Sequence, residues 1–599
     1  MSLLTLELPR ASRRQFIQSI GLTGLAVSQV SLGKSLSRSL SNSGQPALHE
    51  LSGNQIDLVV GYQAINFSGQ SKIATTVNQS LPGPLLRLRE GDTVNIRVHN
   101  QLAQDTSIHW HGLLLPYQMD GVPGISFAGI RPGQVFNYQF KLQQSGTYWY
   151  HAHSGFQEQT GLLGAMVIEP KNGERHQADR EHVILLSDWT DLDPAYLLTK
   201  LKKHSHFDNQ HKPTLLKLMQ DIKQQGFSQA VQLRQMWNQM RMSPTDFADL
   251  SAGSYSYLIN GNAPAQNWTG LFNKGEKLRL RIINGSAQTF FDLRIPGLKM
   301  TVIAADGEDV EPVTVDEIRL GVAETYDVLI EPKDEAYTIF AQTMDRSGFA
   351  RATLTTQVGL TAAVPALDAV EWLSMQDMGH MMHPSGATDQ AAMDHSSHSA
   401  MPTVNPMMNH DSGHADHQMK MPQTDSVQHA SSEMNNPNVD MRVDQPRTNL
   451  DDAGVNLRAS AKIRKVLTYA DLHTIGGSLD RRESTRELEI HLTGNMERYV
   501  WGMDGLSFHE ARPVHLNPNE RVRFTLVNDT MMTHPMHLHG MWSELRTPDG
   551  EFQVRKHTIN VQPAQKISFD VTAIEGRWAW HCHLLYHMEA GMFREVIVA

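Results

Sequence analysis

The chain has 599 residues, enough for several domains of roughly 100–200 residues each, and a formal net charge of −11. That charge leaves no basic face, which excludes a nucleic-acid partner and an anionic membrane surface on electrostatic grounds. A single cysteine, Cys582, rules out an intramolecular disulfide, so the thiol needs another explanation.

At the N-terminus, SRRQFIQSIGLTGLAVS (Ser12–Ser28) sets Arg13 and Arg14 before a short, weakly apolar segment with Gln18, Ser19 and two glycines. It is too short and too polar for a spanning helix and reads as an export signal resembling the twin-arginine (Tat) type, with processing near Ala26–Ser28. A basic, unstructured terminus is the plain alternative. No later segment reads as transmembrane. The mature protein is therefore expected in the periplasm, without a membrane span.

Three stretches then share one layout: LRLREGDTVNIRVHNQ from Leu86, FNKGEKLRLRIINGS around Gly275 and LNPNERVRFTLVNDT around Glu520. Each has a turn, an acidic residue, alternating apolar positions and a closing Asn, the pattern of half-buried strands bounded by turns. A second strand follows each turn by about 60 residues (GTYWYHAH, EAYTIFAQ, GRWAWHCH), a recurrence that points to three related β-domains. Short strands with frequent turns predict an all-β chain of three Greek-key β-sandwiches. The expected division is a leader over 1–45, domains over 46–172 and 173–365, a linker over 366–450 and a third domain over 451–599.

Two stretches break the β pattern. Lys212–Leu250 has helical spacing, with Pro213 suited to a first turn, and reads as a helical insertion (about 212–250) in the middle domain; Met236 and Met240 on one face read as core packing. Met375–Met441 is dense in Met and His and nearly free of β-branched and aromatic residues, a composition that cannot bury a core, so a disordered linker is expected. Its His380, Met381, Met382, His383, Met393, His395, His398, Met407, Met408, His410, His414, His417, Met419 and Met421 are candidate accessory copper ligands, because thioethers suit Cu(I) and imidazoles suit Cu(I) or Cu(II). A solvated spacer is the alternative.

Ten histidines fall into four clusters: HWHG (His109, His111), HAH (His151, His153), HPMHLHG (His534, His537, His539) and HCHLLYH (His581, His583, His587). Positions i and i+2 of a strand share a face. His109 with His111, His151 with His153, His537 with His539 and His581 with His583 thus offer eight imidazoles, which fits three copper ions, two with three ligands and one with two. Cys582 faces the other way, where His534 and His587 can reach and where Met592 can cap the set. Two His, one Cys and a weak thioether make a blue-copper electron-transfer site.

The four clusters, in this order and spacing, resemble those of the multicopper oxidases with three cupredoxin domains. With the twin-arginine leader, RMSPTDFADL, NWTGLF, RLRIINGSAQTFFDLRIPGLKMTVIAADGEDVEP, AETYDVLI and the Met/His tract, the chain looks most like the bacterial copper-resistance oxidases of the CopA/PcoA type. The resemblance implies type 1 copper on His534, Cys582, His587 and Met592, and type 2 copper on His109 and His537. It implies one type 3 copper on His111, His151 and His583 and another on His153, His539 and His581. Asp120, in MDG after the first cluster, stands where family members keep an acid near the trinuclear site, and is a candidate proton relay. Some related cuprous oxidases carry a Glu where this chain has Met588, with Glu589 displaced by one, so the second proton donor is open.

The implied reaction takes electrons one at a time at the type 1 copper and passes them through Cys582 to its neighbours His581 and His583. Four of them reduce dioxygen to two waters. The expected donor is Cu(I), gathered by the Met/His tract or handed over by a periplasmic copper carrier. The alternatives are a laccase-like phenol oxidase and a copper-sequestering protein with incidental turnover.

Overall fold

A computed structural model describes residues 48–374, 376–379 and 427–599. The leader and its arginine pair, and all fourteen candidate accessory ligands from His380 to Met421, lie outside the described residues.

Strand is the main regular structure of the described chain, arranged as six sheets in three successive pairs. The repeats recognised in the sequence build equivalent pieces of each pair. In the second sheet of the first pair, Gln55–Ile65 runs parallel to Thr93–Asn100, which pairs antiparallel with Val135–Lys141. Arg180–Trp189, Leu278–Asn284 and Thr325–Ile330 repeat that arrangement, as do Arg486–Asn495, Arg521–Asn528 and Lys566–Thr572. Period-two burial along Thr93–Asn100 matches a strand with one face on the core.

The closing Asn of each repeat explains why the motif ends as it does. Asn100 donates to the carbonyls of Gln104 and Ile130, Asn284 to those of Thr289 and Leu320, and Asn528 to those of Met532 and Val561. Each also accepts the backbone N–H two residues on. One amide thus satisfies three buried backbone groups and turns the chain out of the sheet, which an aliphatic residue could not do.

The expected helical insertion is present as two helices, Leu215–Gln225 and Phe227–Met240, joined at Gly226. Thr214 caps the first by accepting from the Lys217 N–H, so Pro213 stands one residue before the cap rather than within the first turn. Met236 packs partly buried against the main core, as its helical spacing predicted. A further helix, Pro194–Lys203, was not expected.

Sequence composition assigns the Met/His tract as far as Met441, but its end is packed. Glu433 is fully buried, Val439, Met441 and Val443 are in the core, and Arg447 bridges Gln565. Between the middle and last sheet pairs, the Lys556 ammonium lies 3.0 Å from both Asp306 and Glu324, all three fully buried. Burial alone would lower the Lys556 pKa, and the two carboxylates reverse that, holding it charged. Removing one member there would cost about 3–5 kcal/mol through an unpaired buried charge. No helix among the described residues is long and apolar enough to cross a membrane.

Candidate metal centres

Strand register assembles the histidines. His109–His111 pairs antiparallel with Gly146–His151 so that His109 faces His151, and His534–Leu538 pairs with Gly576–Cys582 so that His537 faces His581. His153, His539 and His583 lie just past their strands' ends, where sequence alternation had assumed continuous strand. The i, i+2 sidedness survives all the same, and all eight rings converge at one place from the first and last sheet pairs.

Five of the eight rings are held through Nδ1. His109 Nδ1 donates to the Asp120 carbonyl at 2.7 Å, and His537 Nδ1 to the His557 carbonyl at 2.6 Å. His581 Nδ1 donates to the Cys582 carbonyl at 2.9 Å. His151 Nδ1 is 2.6 Å from Glu158 Oε2, and His539 Nδ1 is 2.8 Å from Asp120 Oδ2. A proton fixed on Nδ1 makes Nε2 a lone-pair donor. The Nε2 atoms of His109, His151, His537 and His583 are buried with no hydrogen-bond partner. His111 is reversed: its Nε2 meets His557 Nδ1 at 3.2 Å and Thr558 Oγ1 at 3.3 Å, and its Nδ1 is the partnerless atom.

The third set is the most telling. His539 Nε2 and His581 Nε2 are 3.1 Å apart, and His153 Nε2 lies 3.3 Å from His581 Nε2. With protons on the Nδ1 atoms of His539 and His581, two lone pairs face each other, an arrangement that repels unless a cation sits between them. Burial, reinforced by neighbouring imidazoles, pushes His111, His151, His153, His537, His539 and His583 well below the ordinary histidine range, and burial pushes His581 to about 4. Neutral rings are the metal-binding form.

Cys582 turns its sulfur to the opposite side. Its Sγ is 3.5 Å from His534 Nδ1 and 3.8 Å from His587 Nδ1, which are 3.2 Å from each other. His534 Nε2 is engaged by Thr530 Oγ1 at 2.7 Å and His587 Nε2 by Asp249 Oδ2 at 2.9 Å, so both Nδ1 lone pairs aim at the thiol. Met592 is fully buried beside them; its carbonyl accepts from Cys582 N–H and its N–H donates to His587 O. Trp501 stacks on the His587 ring at 3.9 Å. Burial raises the Cys582 thiol pKa, and a bound metal ion would reverse that by taking the thiolate.

Family models described as multicopper oxidase match residues 59–173, 227–361 and 481–599. Copper resistance protein A of Pseudomonas syringae pv. tomato is 53% identical over 98% of this chain and 99% of its own length. The chain belongs to the multicopper oxidase family. Copper resistance protein A of Escherichia coli is 52% identical over the same shares of the two chains. Among solved structures, the multicopper oxidase Fet3p has a TM-score of 0.61 at 18% identity, covering 92% of this chain and 90% of its own, a likeness of fold. The multicopper oxidases are oxidoreductases with copper as cofactor, and the donor atoms found here suit it: bare imidazole nitrogens in one cluster, two imidazoles and a thiol in the other.

Four groups at these sites of the multicopper oxidase carried no usable signal in the sequence. Asp249 closes the helical insertion, 338 residues from His587, and no local motif links them. Glu158 follows the second cluster in a turn and is buried on His151. His557 is a lone histidine in an ordinary strand pattern, and Thr530 reads as part of the repeat's turn. Met588 packs with Val122, Ala579 and Phe593, while Glu589 is exposed.

Proposed function

We propose that this multicopper oxidase oxidises Cu(I) to Cu(II) in the periplasm, four equivalents for each dioxygen and four protons converted to two waters, and thereby serves copper resistance. The observation that carries this reading is the pairing of the His534/Cys582/His587 site with the eight-histidine site through three consecutive residues, His581, Cys582 and His583. The near-full-length likeness to chains named copper resistance protein A supports the physiological role.

Within this reading, His534, Cys582, His587 and Met592 hold type 1 copper, and His109 and His537 hold type 2. His111, His151 and His583 hold one type 3 ion, and His153, His539 and His581 the other; the convergence of the last three supports that division. Copper supplies the one-electron chemistry at the first site and the four-electron reduction of dioxygen at the second. The protein's own residues do the rest. Asp120 takes the Nδ1 protons of His109 and His539 between its backbone and side-chain oxygens, and is assigned to proton relay. Glu158 orients His151, and His557 with Thr558 fixes the reversed ring of His111.

Asp249 orients His587 through a charge-assisted hydrogen bond. Asp249→Asn is expected to keep the blue thiolate–copper absorption and lower turnover by about 10-fold. Unchanged turnover would mean that stacking on Trp501 suffices to hold the ring.

The Met/His residues from His380 to Met421 are proposed to collect Cu(I) for the oxidase, after export by the twin-arginine route. The test is steady-state oxygen consumption by the copper-loaded protein with Cu(I) and with a phenol, before and after deletion of 380–426. Loss confined to Cu(I) is the expected result. Faster turnover on the phenol in the intact protein would favour a laccase-like enzyme, and equal loss with both donors would remove the collecting role.

A further inference from the structure

A second group of ligand-type side chains lies away from both copper sites. His491 sits on the strand Arg486–Asn495, and Asp529 directly follows the adjacent parallel strand, whose register sets Leu492 against Asn528. His429 and Glu433 arrive from the packed segment that follows the Met/His tract. His491 Nδ1 is 2.6 Å from Asp529 Oδ2 and 3.8 Å from Glu433 Oε2; His429 Nδ1 is 2.9 Å from Glu433 Oε2 and 3.5 Å from Asp529 Oδ2. Each Nδ1 thus lies between both carboxylates. Four donors held about 2.0–2.2 Å from a tetrahedral centre stand about 3.3–3.6 Å apart, within the observed range.

The group is buried, and two of its polar atoms are unsatisfied. The side chains of Glu433 and Asp529 are fully buried, His491 is 3% exposed, and His429, at 12%, is the one that reaches the surface. Glu433 Oε1 and His429 Nε2 have no hydrogen-bond partner. Two buried carboxylates share two ring nitrogens, with a third carboxylate, Glu489, 3.4 Å from His491 Nε2. Among the described residues, the Lys566 ammonium pairs with Glu489 at 2.7 Å and not with Glu433 or Asp529. A carboxylate behind a ligating imidazole is a common outer partner of a bound metal ion. The remaining supports are backbone groups: Val443 N–H on Asp529 Oδ1 and His491 N–H on Asp504.

We propose that His429, Glu433, His491 and Asp529 form a further metal site that takes a borderline divalent cation, Cu(II) foremost. Imidazole and carboxylate donors without a thioether favour Cu(II) over Cu(I), and among divalent ions Cu(II) binds such donors most tightly. The site adjoins the end of the tract, and Asp529 is followed by Thr530, the residue on His534 Nε2. A cupric ion formed by the oxidase would therefore have a nearby resting place of the right hardness. The metal site itself stands on its own geometry and does not depend on the choice of Cu(I) as donor.

The test titrates Cu(II) into the copper-loaded, full-length protein and into its His429→Ala and Glu433→Gln variants, reading bound copper by elemental analysis and electron paramagnetic resonance. The tract is present in all three proteins, so the difference reports this site. The expected result is one fewer Cu(II) per chain in each variant, or a loss of at least 10-fold in affinity for one equivalent. A mononuclear axial signal with nitrogen splitting should vanish, with the type 1 absorption unchanged. Zn(II) should raise the unfolding temperature of the parent protein and not that of His429→Ala, while the two proteins unfold cooperatively without zinc. Equal stoichiometry, spectra and thermal response in parent and variants would make the cluster an ion-pair network only and overturn the proposal.

Discussion

Replacing Cys582 with serine is expected to abolish oxygen consumption with every donor, Cu(I) and phenols alike. Serine keeps the size and the burial but offers a hydroxyl that stays protonated where the thiol would ionise onto a soft metal ion. Removing an outer partner of a metal site costs roughly 10–100-fold in affinity or activity, and removing the strongest ligand should exceed that. The blue absorption should disappear, while the eight-imidazole site keeps its copper, because Cys582 Sγ faces away from it. Full activity in Cys582→Ser would mean that electrons enter without the thiolate and would defeat the proposed reading. Cellular copper tolerance retained by the inactive variant would instead favour sequestration as the physiological role.

Asp120→Asn should separate the two halves of the reaction. Asp120 Oδ2 accepts from His539 Nδ1 at 2.8 Å, Oδ1 lies 3.4 Å from His109 Nδ1, and its carbonyl accepts from the same ring. One residue therefore steadies imidazoles from the first and last sheet pairs. Its position is rigid: Gly121 runs at φ +82°, and a β-carbon there would meet the Ile108 carbonyl oxygen at 1.9 Å, so the chain can pass only as glycine. Asparagine preserves shape but loses the charge that favours both Nδ1–H groups and any proton carried by the acid. Steady-state oxygen reduction should fall by about 10–100-fold with copper content retained, while anaerobic reduction of the type 1 copper by the donor proceeds at the parental rate. Equal slowing of both half-reactions would show that Asp120 acts on the whole site and not on proton supply.

The convergence of the candidate ligands was legible because strand periodicity is a strong local rule. In HCH, alternation alone assigns Cys582 to one face and His581 and His583 to the other, and the sulfur does lie with His534 and His587. The repeats were legible for the same reason, and the closing Asn proved to do one job three times. What was not legible depends on contacts distant in sequence. Asp249 meets His587 only because the end of the insertion folds against the last sheet pair, and His557 meets His111 across 446 residues. The end of the Met/His tract misled for a related reason. Its composition is polar, yet Val439, Met441 and Val443 all find a core, and Glu433 finds two histidines. Average composition reports how little a segment could bury, not which few residues another surface awaits.

The eight imidazoles are supplied four by the beginning of the folded chain and four by its end, with the middle sheet pair giving none of them. A ligand bound there clasps the two extremities of a polypeptide, and its binding energy becomes energy of closure. Copper supply and mechanical integrity are then one variable. A molecule starved of the metal keeps opposed lone pairs where it needs a fastener, so scarcity loosens the seam between head and tail at the same time as it stops turnover.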